Sequence, residues 1–192
     1  EKNYLRGLEC LESNHGRVME YPQVFLILDA YSARVFRQIY THIAGSPTRL
    51  QASTRYINYQ REFSYVIPPS IKNNSNAKKV YIDAMESIQD ALKQLENMDI
   101  PREDSGMLLP LGMESKVVLR TNLRHLVDMS HQRLCKKAYW EFREMMADIM
   151  AALSTYSDEW HYLIDRYFIP KCEYYGRCSE KKSCGYMDSR KK

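Results

Sequence analysis

Between Ala30 and Arg61 the chain carries Arg34, Arg37, Arg49, Arg55 and Arg61 but no aspartate or glutamate, in a protein with 24 acids among 192 residues. The densest part, Thr41–Tyr56, adds the hydroxyls of Thr41, Ser46, Thr48, Ser53 and Thr54, the amide of Gln51 and a turn signal at Gly45-Ser46-Pro47. A guanidinium presents paired N–H groups that match two oxygens of a phosphate, and hydroxyls on a turn suit the same anion. The stretch therefore reads as a place for a phosphate-bearing ligand. A solvated basic loop explains the same composition.

A second group, Asn122, Arg124, Asp128 and Arg133, falls on a helical pattern. Arg124 and Asp128 stand at i and i+4, and Arg124 and Arg133 are expected to point broadly the same way with Asp128 between them. A surface stripe of ion pairs is the bland account. A third group is the tail, where Cys172, Cys178 and Cys184 recur at a fixed interval among lysines. These thiols could hold a structural zinc with a fourth ligand from Cys10, Cys135 or a histidine, although the spacing is wider than that of a standard knuckle. Free thiols are the alternative.

The seven glycines, at 7, 16, 45, 106, 112, 176 and 185, form neither a Gly-x-Gly-x-x-Gly turn nor a Walker loop, so any nucleotide cofactor must be gripped in another way. There is no His-Glu-x-x-His, no Gly-x-Ser-x-Gly and no well-placed cysteine nucleophile.

The elements that must position these groups are mostly helical. Leu5, Leu8 and Leu11 predict a short helix over Glu1–Glu12, followed by a turn at Ser13–Gly16. Val24–Leu28 reads as a buried strand. Ser32 caps a helix running to His42, and Tyr56–Ile67 is expected to contain a strand ending at Pro68-Pro69. Ile71–Asn76 is a polar connector. Ala77–Met98 is the clearest helix, with Ala77, Tyr81, Ala84, Ile88, Ala91, Leu92 and Leu95 on one stripe. Ser115–Leu119 predicts a strand, Thr121 or Asn122 caps the helix behind it, and helices follow at Ala138–Leu153 and Asp158–Tyr167. His125 and His131 are expected at the surface.

A length of 192 residues fits one domain with a real core. The net charge of +4 permits an anionic partner without demanding nucleic acid. No apolar run reaches membrane-spanning length. No secretory signal is visible, so reduced thiols and a cytoplasmic location are expected.

The two arginine-bearing blocks together resemble flavin-dependent thymidylate synthase, the ThyX family. Its signature runs Arg-His-Arg, two residues, Ser, then Asn-Glu-x-Ser-x-Arg-Tyr. Here His42 and Ser46 match the first half, and Gln51, Ser53, Arg55 and Tyr56 match the second, with Gln for Glu and a loop two residues longer. Thr41 and Ile43 stand where the flanking arginines would be, and Gly106 stands at another of the family's arginines. In the second block Asn122-x-Arg124, Arg133 and Ala138-x-Trp140-Glu141 follow the family's spacing from Leu109-Pro110, and His15 and Glu20 match an upstream His and Glu.

The resemblance implies an α+β protomer, helices on a small mixed or antiparallel sheet, in a homotetramer. Residues 1–171 would form the catalytic domain and 172–192 a Cys/Lys-rich tail. It implies FAD as cofactor, NADPH as reductant, methylenetetrahydrofolate as carbon donor and dUMP as the substrate methylated to dTMP. Arg133 and Ser53 would stand at the catalytic positions, and Gln38, Gln51, Ser53, Thr54, Arg55 and Arg133 would bind dUMP. His15, Thr41, His42, Arg49, Asn122, Arg124 and Asp128 would contact FAD. Two rivals remain: a flavin-dependent pyrimidine nucleotide hydroxymethylase, and a non-enzymatic module gripping single-stranded nucleic acid through arginines and tyrosines.

Overall fold

The computed structural model describes residues 2–44 and 47–190. In chain order the elements are α1 (Lys2–Glu12), β1 (Gln23–Ser32), α2 (Ala33–Ile39), β2 (Thr48–Gln51), α3 (Pro69–Lys72), α4 (Ser75–Asn97), α5 (Arg102–Ser105), β3 (Glu114–Asn122), α6 (Leu123–Arg133), α7 (Trp140–Tyr156), α8 (Asp158–Tyr167), α9 (Lys171–Tyr174) and α10 (Tyr186–Arg190). The class is α+β. The three strands form one sheet in the order β1-β3-β2. Leu123 N donates to Pro22 O near one end of the β1–β3 pair and Ala33 N to Met113 O near the other. Residue numbers rise along one strand as they fall along the other, so the pair is antiparallel.

Local chemistry accounts for several helix starts. Ser32 Oγ accepts from Val35 N to open α2, Asn74 Oδ1 accepts from Ala77 N to open α4, and Ser157 Oγ accepts from Trp160 N to open α8. Each side chain satisfies one of the backbone donors that a helix leaves unpaired at its first turn. α2 stops at Ile39, short of the expected His42. α3 takes up part of the expected connector after Pro68, because proline suits a helix start.

Two strand expectations need correction. β1 extends past Val24–Leu28 in both directions and is not buried on both sides: Val24 and Leu28 are buried while Phe25 and Ile27 are 73% and 71% exposed. Alternation along a strand sends successive side chains to opposite sides. In Tyr56–Ile67 the ladder is reduced to a bridge between Tyr65 and Met113. The regular strand lies earlier, at Thr48–Gln51.

The chain forms two compact units, each built from separated segments. One comprises Glu1–Leu26, His42–Arg49 and Leu119–Lys192. Its core is formed by Leu119, Leu123, Leu126, Met129, Phe142, Met145 and Met146, all at 1% exposure or less. Methionine fills such irregular helix contacts well. The other comprises Ile27–Thr41 and Leu50–Val118. Its cluster of Phe63, Met85, Leu92 and Met113 is flanked by Tyr59, Tyr65, Tyr81 and Ile88. The described part of the Cys/Lys-rich tail belongs to the first unit.

Candidate active site

In the unit built from Glu1–Leu26, His42–Arg49 and Leu119–Lys192, α6 carries the second arginine block. Asn122 Oδ1 accepts from His125 N at 2.9 Å and starts the helix. At its other end Arg133 Nε donates to His42 Nε2 at 2.8 Å, and the Arg133 guanidinium carbon lies 4.3 Å from the centroid of the Phe142 ring. Stacking on an aromatic face leaves the guanidinium plane fixed. Because Nε2 of His42 accepts this hydrogen bond, the neutral ring carries its proton on Nδ1. Burial, followed by the charge of Arg133, holds the His42 pKa down at about 4, so the ring is neutral near pH 7. Burial also lowers the pKa of Arg133.

The carbonyl of His42 is held as well. It accepts from Arg49 Nη2 and lies 3.1 Å from His125 Nε2. Arg49, assigned by resemblance to FAD, is thus used here to fix the backbone that presents His42.

Arg124 leaves α6 elsewhere. Its Nη1 lies 3.4 Å from Glu20 Oε1, and a Cβ added to Gly16 would stand 3.8 Å from the same nitrogen. The turn after α1 therefore brings Gly16 and Glu20 to the first turn of α6. Arg124 and Arg133 do not point the same way. Nine residues at 3.6 per turn is about two and a half turns, which puts them on opposite sides of the helix. Asp128 is exposed on α6, and the acid paired with Arg124 is Glu20. A half-exposed guanidinium near the amino end of a helix is a donor set that fits a diphosphate-bearing cofactor.

His125 and His131 are not surface residues: both are buried, His125 at 1% exposure. Burial lowers the pKa of each. His131 stacks on Tyr174 of α9, with centroids 4.4 Å apart and an interplanar angle of 29°. The missed signal for His125 was its company, since Leu123, Leu126, Val127 and Met129 mark the buried side of the helix. A cavity of about 810 Å³ in this unit is lined by His42, Arg133, Lys136, Lys171 and Cys172 among others.

In the unit built from Ile27–Thr41 and Leu50–Val118, the second half of the signature is a turn leaving β2. Ala52 N donates to Lys116 O, Ser53 Oγ accepts from Arg55 N at 3.2 Å, and Tyr56 N and Ile57 N donate to Ser53 O. Gln51 and Ser53 are half-buried while Thr54 and Arg55 are exposed. Arg55 Nε lies 2.9 Å from Glu103 Oε2, with both side chains more than half exposed. The acid-free run of sequence therefore receives an acid from α5. Gly106 lies against Thr54, whose Cβ is 3.7 Å from a Cβ built on the glycine. Gln38 is half-buried on α2, and its carbonyl accepts from Thr41 Oγ1 at 2.6 Å. Gly45 and Ser46, the turn and serine of the signature's first half, lie outside the described residues.

Among the described residues no group of three or more His, Cys, Asp or Glu side chains is arranged to hold a metal, so the structure adds no support to the zinc expectation. Cys172, Cys178 and Cys184 are free thiols, and burial raises the pKa of Cys172.

Residues 3–156 match the family described as thymidylate synthase complementing protein. The chain belongs to this family. Among its relatives, the flavin-dependent thymidylate synthase of Geobacter sulfurreducens is 27% identical over 143 residues, covering 74% of this chain and 61% of that protein. The flavin-dependent thymidylate synthase of Nitratidesulfovibrio vulgaris is 29% identical over 188 residues, covering 91% and 73%. The chain thus spans just over three fifths of the Geobacter relative's length. The fold is shared with thymidylate synthase X of Helicobacter pylori, solved with FAD and dUMP, at a TM-score of 0.68 and 16% identity over 88% of this chain and 84% of that one. Among the described residues no helix is long and apolar enough to cross a membrane.

Proposed function

We propose that this member of the thymidylate synthase complementing protein family is a flavin-dependent thymidylate synthase, an FAD-dependent methyltransferase that converts dUMP to dTMP. Methylenetetrahydrofolate is the carbon donor, NADPH the reductant, and the cytoplasm the location. The observation that carries the reading is the hydrogen bond from Arg133 to His42, which joins residues of the two signature blocks. The relatives' names and the ligands of the Helicobacter structure support it.

In this reading residues 1–171 carry the catalysis and 172–192 are an appendage. Arg55 takes the phosphate of dUMP in place of Glu103, and Gln38, Gln51, Ser53 and Thr54 hold the rest of the nucleotide. An exposed ion pair of this kind is worth about 0–1 kcal/mol, so exchange for a phosphate is easily offset. Arg133 is the residue assigned to the uracil, where its charge would stabilise the negative charge that develops on the ring as C5 becomes nucleophilic. Its charge is delivered in a fixed direction because His42 accepts its Nε–H and Phe142 lies beneath it. When bound, FAD supplies the electrons of the reductive step. Arg124, Asn122 and His15 would hold FAD, and His42, Thr41, Arg49 and Asp128 are the further residues assigned to it. The exposed Phe25 and Ile27 on β1 support burial against further copies, in a homotetramer.

The test is turnover of dUMP by the FAD-reconstituted protein with NADPH and methylenetetrahydrofolate, with the product identified by mass. dTMP is expected. A hydroxymethylated nucleotide, or no nucleotide product, overturns the reading.

A further inference from the structure

We propose that His125, locked in one tautomer by Thr121, is a positioning residue that fixes His42 and through it the guanidinium of Arg133. The proposal rests on the function proposed above for Arg133.

Two atoms decide the tautomer. His125 Nε2 faces the His42 carbonyl at 3.1 Å, and a carbonyl oxygen can only accept, so Nε2 carries the proton. His125 Nδ1 lies 2.5 Å from Thr121 Oγ1. With its pKa lowered by burial the ring is neutral, so Nδ1 has a lone pair and Thr121 donates to it. The hydroxyl thereby sets which ring nitrogen donates, as the partner of an imidazole commonly does. Thr121, near the end of β3, and His125, in the first turn of α6, are at 2% and 1% exposure, and the start of α6 between them is pinned by Asn122.

The chain of contacts runs from Thr121 to His125, from His125 to the His42 carbonyl, and from the His42 ring to Arg133. The ring of His42 is also flanked by Phe142, with centroids 5.6 Å apart, and by His125 at 6.3 Å. Because Ile39 ends α2 and Thr48 begins β2, His42 lies on a connecting segment outside regular structure. Loops hold catalytic groups less rigidly than helices or strands do, so a buried tether on α6 substitutes for local regularity. His125 touches neither nucleotide nor flavin in this account; it acts on the direction of the Arg133 charge.

The experiment compares His125→Leu, His125→Gln, Thr121→Val and Arg133→Ala in the full chain. In His125→Gln the amide N–H replaces Nε2–H as donor to the His42 carbonyl. Readouts are kcat and KM for dUMP with FAD bound, and the ring-nitrogen shifts of His42 in the cofactor-free protein. His125→Leu is expected to lower kcat about 10- to 100-fold, as small misplacements do. KM for dUMP should stay within about threefold, and the His42 shifts should move from a single Nδ1–H tautomer towards a mixture. His125→Gln should recover most of kcat. Thr121→Val, which keeps the volume and removes the donor, should shift the His42 signals in the same direction as His125→Leu and lower kcat by less. If His125→Leu does not fold, Thr121→Val decides. Unchanged His42 shifts and unchanged kcat in that variant, with Arg133→Ala inactive, overturn the relay and leave the proposed function standing. Full turnover in Arg133→Ala removes the function reading itself.

Discussion

Glu103, on α5, sits 2.9 Å from the Nε of Arg55, which stands in a run of sequence without any acid. In the proposed role of Arg55 as the phosphate-binding residue, this carboxylate would compete with the nucleotide for the same guanidinium. Releasing it should tighten binding. Glu103→Gln is expected to lower KM for dUMP up to about fivefold at low salt, the scale of an exposed ion pair. The gain should shrink as salt screens the pair. Arg55→Ala should raise KM by tenfold or more, since a hydrogen bond between charged groups contributes about 1.5–3 kcal/mol. Steady-state kinetics at two ionic strengths measures both.

Arg133 is asked to stabilise charge on the substrate ring, so its loss should appear in kcat. Arg133→Ala is expected to lower kcat by about 10²- to 10³-fold, the cost of removing one preorganised donor. Arg133→Lys should fail to restore it, because an ammonium is not planar and cannot lie on Phe142 while donating to His42. Circular dichroism should show both variants folded.

The neutral state of His42 sets a pH dependence. Its folded pKa of about 4 lies below the ordinary 6.5. Between those values the unfolded chain binds a proton that the folded chain does not, so stability falls as pH drops from about 6.5 to about 4. Above the window this group contributes no slope. Urea midpoints measured from pH 8 to pH 4 should therefore decline through it, and His42→Gln should flatten the decline. Protonated His42 can no longer accept from Arg133, so kcat should fall in the same direction.

Ala30 adopts φ of +60°, a left-handed conformation in which a Cβ is costly. Ala30→Gly is expected to stabilise the fold by about 1 kcal/mol and raise Tm by roughly 2–4 °C. Thermal denaturation followed by calorimetry checks it; an unchanged or lower Tm would show that the position carries no relievable strain.

Much of the helical framework was legible because its determinants are local. α8 runs over Asp158–Tyr167 as its pattern indicates, and Ser32 and Asn122 cap as their positions imply. β2 was missed because Thr-Arg-Leu-Gln has no alternation of its own; hydrogen bonding beside Lys116 of β3 makes it a strand. The apolar run Val24–Leu28 looked buried on both sides, yet composition cannot say what covers the outer side of a single chain. The two arginine blocks stood out by residue type, and the roles proposed for them came from the family resemblance. The pairing of Arg55 with Glu103, and the burial of His125 beneath His42, depend on contacts across 48 and 83 residues that periodicity does not encode.

The most direct test of the account is the visible absorption of the FAD-loaded protein on addition of NADPH under anaerobic conditions, followed by dUMP and methylenetetrahydrofolate. The account predicts that the protein takes up the flavin, that NADPH bleaches it, and that the oxidised spectrum returns as dTMP forms in equal amount. A protein that takes up no FAD, or whose reduced flavin is indifferent to dUMP and the folate, would contradict it.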